Sequence, residues 1–325
     1  MGCISSKPQV ASPSNHSFSG NSEASYSGTA RAESSQRRPL RYGELPGPPA
    51  HSNLTYYQQS LVGVARWPDP RYNRDDSPHQ MEYGRSFFNA SRDAGAAIAS
   101  GQVKSFSQVW ALAQRWRAEA AGGDYETFGE DSERYPTYNH TGSTPLAEQY
   151  AYILERYKSR TDGEFTEEIE GLPVLVFPLR DEIEGNHMAL STIVMSTDPN
   201  ANRHDKKYLA VSHLEAGQPF YIRHTYSADV PKILSHVEKL YKHALDPTIS
   251  DSKSLKILAE VHWWVANAMP DHRGSAAKTE FSVRAMAMAR GMELPPMKNG
   301  IVPDLEAMTT PREEFVRRYS NFFDH

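Results

Sequence analysis

A proline set between two segments of helical periodicity constrains this chain most. Residues 252–294 read SKSLKILAEVHWWVANAMPDHRGSAAKTEFSVRAMAMARGMEL. The first segment carries Ile257, Leu258, Val261, Trp264, Val265 and Ala268 at helical spacing, with Ser252 as its expected N-cap. Pro270 disfavours a helical conformation at Met269, so the helix must end there. The second restarts at Ser275, carries Phe281, Ala285 and Met288 on one face, and stops at Gly291. The pattern predicts a helix-loop-helix around Asp271-His272-Arg273-Gly274-Ser275. Trp263 and Trp264 fall on different sides of the first helix, so one is expected in the core and the other at a groove edge.

The loop is electrostatically unusual. A helix N-terminus carries about half a positive charge and attracts acids. Here Arg273 precedes the helix and Lys278 lies in its first turns. Either both cations point into water, with Ser275 a plain N-cap, or an anion sits between them. In the second case Arg273, the amides of the first turn and the close approach allowed by Gly274 form a phosphate seat.

The length of 325 residues allows a large core and about two domains. A net charge of -5 speaks against nucleic acid as the main partner. No apolar run is long enough to span a bilayer, and no secretory signal stands at the N-terminus. The single cysteine, Cys3, excludes an internal disulfide and a cysteine nucleophile in the body. The start, Met1-Gly2-Cys3-Ile4-Ser5-Ser6-Lys7, fits myristoylation at Gly2, with Cys3 beside it for a palmitoyl chain. One chain anchors weakly and two anchor stably. Residues 8–50, rich in Ser, Asn, Gly and Pro, are expected to be a disordered tether. Arg31, Arg37, Arg38 and Arg41 bias it toward an anionic leaflet.

The body divides into a first helical part (51–160), a small α+β insert (161–225) and a helical C-terminal part (226–325). The fold class is therefore mostly α with an α+β insert. Helices are expected over Tyr56–Trp67, from Tyr83 to Gly101, and from Ser105, which with Gln108 suggests a capping box, to Gly122. A polar loop from Asp124 to Ser143 has the length of a lid or binding loop. Thr144 as N-cap and Pro145 as first helical residue start a helix through Tyr150, Ile153 and Tyr157. Strands are expected at Leu172–Phe177, Ser191–Met195, Lys207–Val211 and Pro219–Arg223. Helices resume over Val230–Leu245 and Asp304–Met308, with a last one capped at Thr310-Pro311.

The thirteen histidines show no metal-ligand spacing, so no metal is expected, and His236 and His243 are read as solvated. No Gly-rich phosphate motif or Gly-x-Ser-x-Gly is present. His224 follows a strand, where a side chain can be either a surface imidazole or part of a site. Asp304 stands at a helix entrance, where an acid can simply satisfy the dipole.

Several stretches resemble the AvrB family of plant-pathogen type III effectors. They are the Met-Gly-Cys-x-Ser-Ser-Lys start, Ala65-Arg66-Trp67-Pro68-Asp69, Thr144-Pro145-Leu146 with Tyr150, and His224-Thr225. The most specific is HWW-x-A-x-AMPD-x-RGSAAK from His262 to Lys278, followed by Glu293-Leu294-Pro295-Pro296 and Asp304-x-Glu306-Ala307-Met308. The resemblance implies a two-lobed, mostly helical fold with a Fic-like core. It also implies action in the plant cell, at the cytoplasmic face of the plasma membrane, on an immune regulator called RIN-four, or on host kinases. The implied chemistry is transfer of rhamnose from UDP- or dTDP-rhamnose to a protein hydroxyl. The implied pocket is Thr144, Tyr150, His224, Arg273 and Asp304. Arg273 would hold the diphosphate, and His224 and Asp304 would orient the donor, either of them serving as base. The alternative is a non-catalytic adaptor, and a third is AMP transfer by a degenerate Fic site. Met269–Gly274 lacks the His-Pro-Phe and Gly-Asn-Gly elements that AMP-transferring Fic enzymes use, which speaks against the third.

Overall fold

The computed structural model describes residues 52–73, 77–122, 143–145, 149, 152–153, 156, 165–169, 172–196, 219–271 and 274–324. The lipidation residues Gly2 and Cys3, the tether, most of the loop 124–143, the strand expected at Lys207–Val211, and Tyr150 and Arg273 lie outside them.

Helix α1 (Tyr56–Leu61) has a full capping box, in which Thr55 and Gln58 serve each other's backbone amides. It is shorter than the expected Tyr56–Trp67, because Val62 is extended and Gly63 is left-handed at φ 72°. Helix α2 (Pro78–Ala99) is capped by Ser77, with Pro78 at its first turn. Helix α3 (Phe106–Ala120) is capped by Ser105, but its capping box is incomplete. Gln108 Oε1 accepts from the Lys104 amide instead of that of Ser105, at 2.6 Å.

Helices α4 (Val230–Ala244), α5 (Asp251–Ala268) and α6 (Ser275–Ala289) follow. The N-cap of α5 is Ser250, not Ser252. Its Oγ accepts from the Lys253 amide at 3.3 Å, while the earlier start lets Ser254 donate from a buried position to the Ala244 carbonyl. Helix α7 (Pro303–Thr309) and α8 (Arg312–Arg318) close the chain with a 3-10 turn over Tyr319–Phe322. Pro311 takes the N-cap place of α8, and no side chain caps it.

Helices α5 and α6 form the centre, and both tryptophans of α5 are fully buried, so neither edges a groove. Trp263 donates to the Thr310 carbonyl at 2.8 Å. Trp264 meets His236 edge-on at 5.4 Å, which leaves His236 half-buried rather than solvated; His243 is exposed, as expected. Helix α6 has little amphipathicity in sequence because it is enclosed by α2, α3 and α5. Close approach of α2 to its neighbours depends on glycines. A Cβ on Gly84 would lie 1.8 Å from the Ser60 carbonyl oxygen, and one on Gly95 would lie 2.8 Å from Cβ of Met288.

Among the described residues five strands form one antiparallel sheet ordered β1-β5-β4-β3-β2, whose edge strand β1 lies ahead of the expected 161–225 insert. Its strands are β1 (Ser143–Pro145), β2 (Phe165–Ile169), β3 (Leu172–Ile183), β4 (Asn186–Ser196) and β5 (Pro219–Arg223). β3 and β4 outrun the expected strands and join through Glu184-Gly185, both at positive φ, the two-residue turn that suits strand twist. Thr144 and Pro145 are strand residues paired with Ile222 and Tyr221, so they do not start a helix. Helical backbone is instead found at Tyr152, Ile153 and Arg156.

Two apolar clusters result. The larger lies among the helices and includes the β3–β4 hairpin end through Ile183 and Met188. The smaller joins Val176, Ile193 and Ile222 of the sheet to Met269, Leu305 and Met308. Met269 therefore ends α5 and fills the second core at once. Its left-handed φ of 45° is a conformation that costs a non-glycine residue about 1 kcal/mol or more.

Candidate functional site

The loop between α5 and α6 is built by its own side chains. Gly274, at φ 76°, takes the N-cap place of α6 and supplies no side chain. Ser275 is the first helical residue rather than the cap. Its buried Oγ accepts from the Asp271 amide at 3.2 Å and donates to the Asp271 carbonyl at 3.1 Å. The Asp271 carboxylate is a hub. Its Oδ2 accepts from Trp110 Nε1 at 3.0 Å and Gln114 Nε2 at 3.1 Å, both on α3, and from Lys278 Nζ. Lys278 is sealed from solvent and lies 5.3 Å from the centre of the Trp110 ring.

This geometry corrects the charge argument made from sequence. One of the two cations at the α6 entrance has its anion inside the chain, and that anion also faces the positive helix end. Lys278 does not point into water, and it does not wait for a phosphate.

A second group of polar side chains lies at the start of α7. Asp304 is 4% exposed, and its Oδ2 has no hydrogen-bond partner. Burial lifts its carboxyl to about 7, with repulsion from Glu280 adding and the Asp304 and Leu305 amides pulling the other way. Glu280 is engaged by Arg284 Nε at 2.8 Å. Glu306 is fully buried and holds Arg156, whose second nitrogen donates to Thr309 Oγ1 at 3.1 Å. Tyr152 joins this group. Its hydroxyl is sealed from solvent with no hydrogen-bond partner. Burial first, then the Glu306 and Asp304 carboxylates, push its ionisation far up, so it stays a phenol. Its ring lies 5.7 Å from the Arg156 guanidinium carbon.

The expected site residues converge in part. β5 ends at Arg223 and delivers a half-buried His224. Thr225 donates from Oγ1 to the Asn267 carbonyl at 2.7 Å, and Asn267 Nδ2 reaches the Ala307 carbonyl at 3.2 Å. The strand exit, the last turn of α5 and α7 are thereby tied together. Thr144 pairs opposite Ile222 on the neighbouring strand, two residues before His224. The neighbours of His224 at the strand exit and of Asp304 on α7 are thus held to the same turn of α5, with Thr144 on the adjoining strand. Reading the sequence missed Tyr152, Asp271 and Glu306. The one signal for Asp271 was an acid at a helix break followed by a helix with no acid in its first turn.

Other conspicuous stretches are structural. Arg66 donates to the Met297 carbonyl at 3.0 Å, and Gly300 donates to the Arg66 carbonyl at 2.9 Å. His262 Nδ1 lies 2.9 Å from Tyr319 Oη, and burial drives this imidazole down to about 3. Glu293 accepts from Ser52 Oγ and the Asn53 amide, both at 2.6 Å, and so ties the segment before α1 to the C-terminal part. Among the described residues no helix is long and apolar enough to cross a membrane.

Fold and junction define a mostly helical protein with a small antiparallel sheet and a set of buried acids. The model of the AvrB/AvrC family, described as avirulence protein, matches residues 1–325. Avirulence protein B of Pseudomonas savastanoi pv. glycinea is 35% identical over 339 residues, covering 100% of this chain and 99% of that protein. The chain belongs to the AvrB family of plant-pathogen type III effectors, proteins that bacteria deliver to act inside the host cell.

Proposed function

We propose that this effector works by capturing a host immune regulator of the RIN-four type, or a kinase that serves it, at the cytoplasmic face of the plasma membrane. Myristoyl and palmitoyl chains on Gly2 and Cys3 would hold it there. The observation that carries this reading is the Asp271–Lys278 pair. One of the two cations expected to need an outside anion is paired from within, and the same carboxylate ties the turn to α3, so the α5–α6 turn acts as a frame for the sheet and helices around it. A frame with two lobes, helical and Fic-like on one side and a sheet on the other, suits a protein that clamps a partner. Co-purification of a RIN-four type protein with the wild type and with Arg273→Ala tests it. Equal capture by both is expected, and loss in the variant speaks for a role of Arg273 in binding.

Sugar transfer to the captured protein is the second reading, and Asp304 favours it. A carboxyl with one free oxygen that titrates close to neutral is a competent general base for a protein hydroxyl. In this reading the UDP- or dTDP-rhamnose diphosphate rests on Arg273 and the amides after Gly274, while Thr144, Tyr150 and His224 line the pocket. Lys278 takes no part, since Asp271 holds it. Intact mass of the target tests the reading. One added deoxyhexose, absent with Asp304→Asn, is expected, and an unchanged mass with every nucleotide sugar supplied defeats it.

A further inference from the structure

We infer that the cleft between α4 and the β3–β4 hairpin end docks an acidic segment of a partner protein, with one apolar side chain set between its carboxylates. The inference goes beyond both readings above, since none of its residues belongs to the expected pocket.

A cavity of about 390 Å³ opens there, with Ile183, Met188, Pro231, Lys232, His236 and Lys239 in its lining. Ile183 and Met188 are buried and give it an apolar floor. Lys232, His236 and Lys239 stand at i, i+4 and i+7 on α4, so they share one helix face. His243 continues the stripe and Lys242 flanks it, both exposed. Glu238 is the single acid of α4, and it is turned to another task, with Oε2 accepting from the Phe106 amide at 2.8 Å. A stripe of cations thus borders an apolar floor, in a chain whose net charge is -5.

The lysines already show what they accept. Lys239 reaches across the cleft to Glu184 in the hairpin turn, and Lys232 holds Asp229 at 2.8 Å. The side chains of Lys239 and Glu184 are 62% and 68% exposed, and a pair so exposed contributes little to stability. A partner's carboxylate can therefore take the place of Glu184 at small cost. Glu184 stands at φ 52°, where glycine or asparagine is the easier residue, and its carboxylate marks the place a partner's acid would fill.

Spacing and shape narrow the ligand. Seven helical residues part Lys232 from Lys239 by about 10 Å, which three residues of extended chain span. A fitting segment has two acids about three residues apart and a leucine-like side chain between them. A lone phosphate would leave the apolar floor wet. A flat anionic leaflet would meet the exposed lysines but not the buried side chains behind them.

The test uses the full chain and a fluorescein-labelled peptide, acetyl-Gly-Asp-Asp-Leu-Asp-Asp-Gly-amide. Anisotropy reads its affinity, and carbodiimide coupling of its carboxyls to lysine amines, mapped by mass spectrometry, reads its place. Coupling is expected at Lys232 and Lys239, with affinity about tenfold above that of the same peptide carrying glycine for leucine. Glu184→Asn, which suits the left-handed turn and removes the internal competitor, should bind more tightly still. Lys232→Ala/Lys239→Ala should lose the peptide at an unchanged melting temperature. Coupling spread evenly over these two and the exposed Lys253, Lys256 and Lys298 overturns the inference, as does equal affinity for both peptides or no gain in Glu184→Asn. Phosphatidylserine vesicles that bind through Lys232 and Lys239 where the peptide does not would also overturn it, and would assign the stripe to a membrane.

Discussion

Lys278 and Asp271 form an ion pair with side chains 0% and 2% exposed, and the same carboxylate ties the indole of Trp110 to the loop between α5 and α6. A buried pair of this kind balances desolvation against attraction, so its value lies in what happens when one partner is lost. Asp271→Leu or Lys278→Met is expected to destabilise the protein by about 3–5 kcal/mol, because each strands a buried charge or its donors. The double variant Asp271→Leu/Lys278→Met should recover much of that loss. Urea unfolding of the four proteins checks the cycle.

Asp304 sets an unusual pH slope. Its folded carboxyl titrates at about 7 against 3.8 for the free side chain, so the folded state holds a proton that the unfolded state has released between those values. Stability therefore falls as pH rises through this window, with a limiting slope of about 1.4 kcal/mol per pH unit. Asp304→Asn should remove the fall, which chemical unfolding at several pH values from 4 to 7.5 will read.

His262 tilts the curve the other way. Its folded value of about 3 lies below 6.5, so the unfolded state binds the extra proton, and the contribution present above pH 6.5 is lost as pH falls toward 3. Its surroundings are aromatic, with Tyr319 bonded and Phe315 at 6.0 Å. His262→Gln is expected to flatten acid destabilisation at some overall cost, so the two variants should diverge in opposite directions on the same plot.

Gly84 is a packing requirement rather than a helix weakness. Gly84→Ala forces its methyl against the Ser60 carbonyl, which belongs to backbone and cannot swing away. A loss of about 1–3 kcal/mol is expected despite the better helix propensity of alanine. A lower urea midpoint at unchanged slope would show it.

Much of this fold could be read from residue order. Pro270, Gly291 and Pro303 mark helix boundaries by backbone chemistry that acts locally, and the structure has the boundaries there, whereas α2 starts at Pro78, ahead of the expected Tyr83. Thr144-Pro145 misled because the same two residues suit a helix start and an extended edge strand, and pairing with Ile222 and Tyr221 decides between them. The charge argument misled at Lys278 for a similar reason. Charges on Arg273 and Lys278 are visible in sequence, but the folding of Asp271 back beneath Lys278, with Trp110 and Gln114 arriving from α3, is a contact across more than 150 residues. Tyr152 lies off the apolar stripe expected of its helix, and only its unpartnered buried hydroxyl sets it apart.

Capture of a RIN-four type protein without help from Arg273 is the most direct test of the account. Full-length effector and target, co-expressed and purified through the effector, should yield the same proportion of bound target for the wild type and for Arg273→Ala. Target that is lost from the folded Arg273→Ala protein, or that never co-purifies with the wild type, contradicts it.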